Sequence, residues 1–367
     1  MPCGPTSSTR GNAADPRDQP YHSGVTQARG RWRKRSATQA VTLSDVAAAA
    51  GVSAQTVSRA IRDPSSVSKE TGARIERAIA KTGYVRNLFA SNLASNRSQT
   101  VAAVIPVMNA SMFADTLHAF EERLRPHGYQ IFVGSSEYHV DREENLIRGF
   151  LGRRPDGFLL VGTEHTGDAR KLLRGLPVVE TWDLTDQPID MLVGFSNEAA
   201  TADLVGHLAS RGRRRIAFAS RQLAGDQRSA ERLAGYTRAV SGLGVEPRVV
   251  SVAAGTATMD QGVELLDLVL SRFPDSDAVM FSSDVYAAGA LLACVRRGID
   301  VPGRLAITGF GDFELARHLV PALTTVAVPQ TRIGELAADL LLARISGRPV
   351  ASPVHDVGYT IEARSSS

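Results

Sequence analysis

Thr42-Leu43-Ser44-Asp45-Val46-Ala47-Ala48-Ala49-Ala50-Gly51-Val52-Ser53-Ala54-Gln55-Thr56-Val57-Ser58-Arg59 decides the reading of this chain. Thr42 is a good helix N-cap. Asp45, three residues on, completes the acidic form of the reciprocal capping box. The helix that follows is predicted to stop at Gly51, because glycine accepts the left-handed conformation that ends helices. Val52 anchors the turn and Ser53 caps a second helix over Ala54–Ile61. Val57, Ala60 and Ile61 share the face assigned to the core, which leaves Gln55, Thr56, Ser58 and Arg59 facing away. A third helix is expected over Lys69–Thr82, with Ile75, Ala78 and Ile79 closing a small core. Two short helices about a glycine turn, the second starting with polar side chains, suit insertion into a DNA major groove. Gln pairs with adenine and Arg with guanine through two-point hydrogen bonds.

Charge supports that reading. The chain carries 42 Lys and Arg against 38 Asp and Glu, but unevenly. Residues 1–100 hold 15 basic and 6 acidic side chains, and the remainder holds 27 and 32. A basic head on an acidic body points to a polyanionic partner for the head alone. Residues 1–40 are rich in Gly, Ser, Pro, Gln and Arg with no apolar period, and are expected to be a disordered basic tail. The helix-turn-helix domain is placed at 41–86, a hinge or linker at 87–100 and a larger body at 101–363.

Within the body, short apolar runs alternate with amphipathic stretches. Strands are expected at Val101–Val107, Tyr129–Val133, Gly157–Val161, Val178–Thr181, Arg215–Ala219, Val249–Val252, Ala278–Phe281 and Leu305–Thr308. Helices are expected at Phe113–Arg125, Glu198–Arg211 and Asp284–Arg297. This alternation predicts parallel α/β sheets. Two lobes are expected, divided near residue 190.

Several function classes are excluded by pattern. No Ser/His/Asp set, metal-ligand spacing or phosphate-cradling glycine loop is present, so no enzyme, metal or cofactor is expected. His118, His127 and His139 are scattered and read as solvated. Cys3 and Cys294 form no disulfide framework, and no apolar run has membrane-spanning length. A cytoplasmic location without membrane contact is expected. The missing apolar leader argues against a transported solute-binding protein.

The head resembles the LacI/GalR repressor family through Thr42–Ala47, Gly51-Val52-Ser53, Thr56-Val57-Ser58-Arg59 and Gly83-Tyr84. The resemblance implies double-stranded operator DNA as partner, bound by a homodimer, with Thr42, Ser53, Ala54, Gln55, Thr56, Ser58, Arg59 and Arg62 at the DNA. It extends into Asn87-Leu88-Phe89-Ala90-Ser91-Asn92-Leu93-Ala94, which in the family becomes a minor-groove hinge helix. Asn87 would contact backbone, Leu93 would part a base step, and Ala94 would be a further DNA contact. Ala54 departs from relatives with larger base-reading side chains and leaves operator preference open.

The resemblance also covers the body, through Arg232-Leu233-Ala234-Gly235-Tyr236, Ser283-Asp284 and Pro321–Val326 among others. It implies a periplasmic-binding-protein-like domain with two parallel-sheet lobes closing on a small effector. Implied effector contacts are Phe113, Thr163, His165, Trp182, Asp183, Arg232 and Asp284. Asp284 reads either as a contact or as a helix cap, and Trp182 either as a contact or as lobe packing. Gly309-Phe310-Gly311-Asp312 lacks the aspartate that many sugar-binding relatives place after the aromatic residue. A cleft without that carboxylate favours an anionic effector. Val178–Leu184 and Gly194–Ala200 are similar to the gluconate-utilisation repressor branch, which implies gluconate or its phosphate. A neutral sugar or a nucleoside is the alternative effector class. With no leucine heptad after the body, a zipper-linked tetramer is not expected.

Overall fold

The computed structural model describes residues 41–85, 97–108, 111–222, 226–253 and 257–367. The chain divides into two compact units, 1–87 and 88–367. The expected tail over 1–40 and the expected hinge residues Asn87, Leu93 and Ala94 lie outside the described residues.

In the first unit, α1 (Leu43–Ala50), α2 (Ala54–Arg62) and α3 (Lys69–Thr82) surround a core of Val46, Ala47, Ala50, Val57, Ala60, Ile75 and Ala78. The predicted capping box is formed, with the Thr42 amide donating to Asp45 Oδ2 at 2.8 Å and the Asp45 amide to Thr42 Oγ1 at 3.4 Å. Those hydrogen bonds hold the Asp45 carboxyl below its usual range. Gly51 ends α1 in the left-handed region, at φ 64°. Arg74 of α3 donates to the carbonyls of Ala50 (2.6 Å) and Gly51 (3.1 Å), fixing the turn to the third helix.

In the second unit the first lobe holds β1 (Thr100–Ile105), β2 (Gln130–Ser135), β3 (Gly157–Val161), β4 (Val178–Thr181) and β5 (Met191–Gly194). The second holds β6 (Ile216–Arg221), β7 (Arg248–Val252), β8 (Ala278–Phe281), β9 (Ala306–Gly311) and β10 (Thr324–Ala327). Two short late strands, β11 (Val354–Asp356) and β12 (Thr360–Glu362), complete the sheets, whose orders are β11-β5-β4-β3-β1-β2 and β12-β10-β9-β8-β6-β7. Pairing is parallel throughout except β10 with β12.

The helices of the unit are α4 (Ser111–Leu124), α5 (Val140–Leu151), α6 (Gly167–Leu173), α7 (Asn197–Ser210), α8 (Gln227–Gly242), α9 (Met259–Arg272), α10 (Asp284–Arg297), α11 (Glu314–His318) and α12 (Gln330–Ile345). The single expected lobe boundary near 190 becomes three crossings. The chain passes to the second lobe between β5 and α7, returns between β10 and α12, which packs on α4, and crosses again between β11 and β12. One buried apolar cluster runs through both lobes, from Val101 and Leu159 to Phe218 and Val326.

The chain end also corrects the sequence reading, which closed the body at 363 with a short polar end. Ser366 and Ser367 are buried. Ser366 Oγ donates to the Ile307 carbonyl at 2.6 Å and accepts from the Thr324 amide at 2.8 Å, so the end is stitched between β9 and β10.

Candidate nucleic-acid interface and ligand cleft

On α2, Val57 and Ala60 are buried, while Ala54, Gln55, Ser58, Arg59 and Arg62 are exposed. Positions 55, 58, 59 and 62 follow helical spacing and form one polar face. Ser53 caps the helix by accepting from the Thr56 amide at 3.1 Å, and its hydroxyl lies 2.8 Å from Thr56 Oγ1. Ser53 and Thr56 are therefore pre-set at the helix start, with Gln55 and the two arginines free of such local ties. Thr42, at the head of α1, is exposed.

In the body, β1 lies between β2 and β3, and β6 between β7 and β8. Each sheet thus has a topological switch point, where open α/β folds form crevices at the carboxyl ends of their strands. A cavity of about 140 Å³ opens there, between Val107, Met112 and Tyr138 of the first lobe and Arg221, Asp226, Arg228, Arg232, Ser282 and Tyr286 of the second. It is small beside the roughly 300–1,000 Å³ usual for drug-sized ligands and suits a compact solute. A neighbouring space of about 40 Å³ is lined by Glu143, Thr163, Asp183 and Gln227 among others.

Three buried arginines dominate the main cavity, with different partners. Arg221 is paired with Asp226 (2.5 Å) and lies over the Tyr138 ring, 3.9 Å from its centroid. Arg228 reaches Asp183 of the first lobe at 3.0 Å. Burial opposes ionisation of Asp226, but Arg221 and Arg228 overcome it and hold the carboxyl down at about 2. Burial pushes the Asp183 carboxyl up. Arg228 opposes that, donating to Oδ2 at 3.0 Å, and Asn197 Nδ2 donates to Oδ1 at 3.1 Å.

Arg232 is held differently. Its Nε donates to Asn197 Oδ1 (2.9 Å), its Nη1 to the Ser282 carbonyl (2.7 Å), and its plane lies 3.7 Å from the Phe310 centroid. Nη2 is buried without a hydrogen-bond partner. Burial lowers this guanidinium to about 10. The Tyr286 hydroxyl, on the same cavity wall, is also buried without a partner, and burial raises it to about 12. Two buried donors left over at one cavity wall invite an acceptor from outside the chain.

The head matches the family model "Bacterial regulatory proteins, lacI family" over residues 42–87, and residues 205–367 match the "Periplasmic binding protein-like domain". The HTH-type transcriptional regulator GntR of Pseudomonas aeruginosa is 38% identical over 329 residues, 89% of this chain and 95% of the relative. This chain belongs to the LacI family. A LacI-family regulator from Silicibacter pomeroyi superposes with a TM-score of 0.84 at 33% identity, covering 89% of this chain and 99% of that one. The regulator GntR from Chromobacterium violaceum gives 0.70 at 39% identity, covering 73% and 99%. As a LacI-family member the chain is a DNA-binding transcription regulator, with a helical head and a two-lobed α/β body. No helix among the described residues is long and apolar enough to cross a membrane.

Within this LacI-family body, Arg232 alone of the seven residues named as effector contacts lines the main cavity; Thr163 and Asp183 line the smaller space, Thr163 Oγ1 donating to Gln227 Oε1 at 3.2 Å. His165 lies elsewhere. Its side chain is fully buried between Glu143 (2.5 Å) and Glu180 (3.2 Å), so both ring nitrogens are occupied inside the protein. Burial alone would depress this imidazole, but the two carboxylates prevail and raise it to about 9. Phe113 and Trp182 stack edge to face at 5.2 Å in the core, which favours the packing reading of Trp182. Asp284 neither caps α10, a task Ser283 performs, nor lines the cavity. It accepts from the Phe313 amide (2.8 Å) and Thr325 Oγ1 (2.5 Å), and burial raises it to about 6.

Gly311 has φ 130°, and a Cβ there would meet the Phe313 ring at 2.5 Å, so this backbone favours glycine after Phe310. The next carboxylate, Asp312, pairs with Arg364 at 2.6 Å instead. The sequence reading missed Tyr138, Arg221, Asp226, Arg228 and Tyr286. Arg228 was accessible to it, one helical turn before Arg232 on the same face. His118 gathers with Glu121 and Glu122 on α4, but Glu122 already pairs with Arg125, and exposed acidic groups are common without an ion.

Proposed function

We propose that this regulator is a homodimeric repressor of sugar-acid catabolic genes, whose grip on a palindromic operator is set by an anionic sugar effector of gluconate type. The supporting observation is Arg232. It is a buried guanidinium at the cavity wall with one donor unmade and no carboxylate partner. An effector carboxylate would supply both the missing acceptor and the missing charge.

For the head, Gln55, Ser58, Arg59 and Arg62 would read and grip the major groove, Thr42, Ser53, Ala54 and Thr56 would face the backbone and base edges, and Asn87, Leu93 and Ala94 would serve the minor groove. One head offers few base contacts, so a twofold pair reading two half-sites is the economical arrangement. A duplex operator as partner supports a cytoplasmic location. Coupling between effector and operator sites of this kind amounts to ~1–3 kcal/mol.

Fluorescence anisotropy of the full chain on promoter fragments from its host tests the reading. Salt-sensitive, sequence-selective binding that gluconate shifts, and that gluconate no longer shifts in Arg232→Ala, is expected. Binding that gluconate shifts equally in both proteins would remove Arg232 from the effector site.

A further inference from the structure

We propose that Asn197 is the positioning residue that ties the effector anchor Arg232 to the first lobe, so that its side-chain amide decides whether effector occupancy is felt at the operator. This rests on the reading of Arg232 as the anchor and adds the residue that acts behind it. Asn197 is fully buried and does not itself line the cavity.

Asn197 opens α7, just past the first crossing between the lobes. A Cβ on Gly235 of α8 would meet the Glu198 carbonyl oxygen at 2.1 Å, so the start of α7 lies directly against α8 and belongs with the second lobe. The side chain reaches both ways. Its Oδ1 accepts from Arg232 Nε at 2.9 Å, on the second lobe. Its Nδ2 donates to the Trp182 carbonyl at 3.3 Å and to Asp183 Oδ1 at 3.1 Å, just past the end of β4 in the first lobe. The amide orientation is forced, because arginine Nε can only donate and a backbone carbonyl can only accept. Leucine, of similar size, offers neither group, and aspartate would set an acceptor against the Trp182 carbonyl.

Trp182 itself sits at φ 81°, a conformation that an aromatic residue keeps only where its surroundings over-determine it. The Asn197 bond to its carbonyl is one restraint, and the bond from its own amide to the Val193 carbonyl at 3.1 Å is another.

The other holds on Arg232 come from the second lobe: the Ser282 carbonyl on Nη1 at 2.7 Å and the Phe310 ring, 3.7 Å from the guanidinium. Among the described residues, Asn197 is thus the one hydrogen-bonded path from the anchor to the first lobe. Without it the anchor stays aimed but loses its tie across the seam. Arg228 holds Asp183 Oδ2 at 3.0 Å independently of the anchor, so the lobes stay joined.

The test measures operator Kd of the full chain by fluorescence anisotropy with and without saturating gluconate, and gluconate affinity by calorimetry. In the wild type, saturating gluconate is expected to change the operator Kd about 5–150-fold. In Asn197→Leu the change is expected to shrink below about twofold, with gluconate affinity within about threefold of the wild type. A change of wild-type size in the folded variant would overturn the inference and leave the anchor reading standing. A merely structural Asn197 gives that result, with thermal stability alone lowered. Gluconate affinity lost as fully as in Arg232→Ala would make Asn197 part of the anchor and also overturn it. No gluconate response in the wild type would overturn the anchor reading and this inference together. If Asn197→Leu does not fold, Asn197→Asp keeps the acceptor for Arg232 and loses only the donor towards the first lobe. Its operator response at saturating gluconate is expected to fall below about twofold as well, and a full response there would overturn the inference.

Discussion

Two clusters of buried charge in the body obey different rules. In the first lobe, His165 sits between Glu143 and Glu180 with both ring nitrogens engaged. At the cleft, Arg221 and Arg228 pair with Asp226 and Asp183, and Arg232 keeps a spare donor. Both clusters are costly to bury, and only partnering makes them tolerable. The first is complete within the chain and so reads as architecture. The second is complete only with something added and so reads as a binding site. Completion of the hydrogen-bond set, rather than burial or residue type, separates the two.

The most damaging way to probe the difference is His165→Ala, which leaves Glu143 and Glu180 without their shared cation. Urea unfolding should show a loss of about 3–5 kcal/mol. A loss under ~1 kcal/mol would mean that the first cluster is not the structural one.

The same cluster predicts a pH signature. The folded imidazolium titrates at about 9, above its ordinary 6.5. A raised basic group stabilises fully below the unfolded value, and that contribution fades as pH rises through the folded one. Stability should thus fall between pH 6.5 and 9, by up to ~3 kcal/mol. Asp284 and Glu231, raised by burial to about 6 and 7, and Asp183, raised as well, lose stability in the same direction as pH rises, so the share of His165 is read as the part of the slope that disappears in His165→Gln.

At the cleft the balance reverses. Arg232→Met removes a buried cation with no ion-pair partner among the described residues but strands the Asn197 and Ser282 oxygens that it serves, so stability should fall by about 1–3 kcal/mol, less than in His165→Ala. Gluconate affinity should drop by the ~1.5–3 kcal/mol of a charge-assisted hydrogen bond. A large stability loss with unaltered binding would make both clusters structural. Thr42→Ala, in the exposed capping box of the head, is the control, expected to cost about 1 kcal/mol without touching ligand affinity.

Gly157–Val161 and Ala278–Phe281 were legible in the sequence to the residue because each is a fully buried apolar run, and Val178–Thr181 because three of its four buried residues are β-branched. The head was legible for a similar reason, since its caps and glycine stop are local signals. Val354–Asp356 and Thr360–Glu362 were not. They are three residues long, partly exposed, and become strands only by pairing with partners far away in sequence. The cavity behaves likewise. Arg232 could be picked out by motif, whereas Asp226 and Tyr138 acquire meaning only when separate segments converge. His165 shows the converse error. A polar residue beyond a strand end looks like a ligand contact until its neighbours are seen to use it up.

The triple crossing carries a consequence for biogenesis. The α4 face of the first lobe is covered by α12, and its edge strand is β11, both of which leave the ribosome after β6 to β10 of the second lobe. Neither lobe can finish as an autonomous vectorial unit, and the nascent chain must hold an unroofed half-core until nearly the last codon is translated. Chains cut short before residue 330 should therefore emerge as chaperone clients, lacking a competent sensor of any kind.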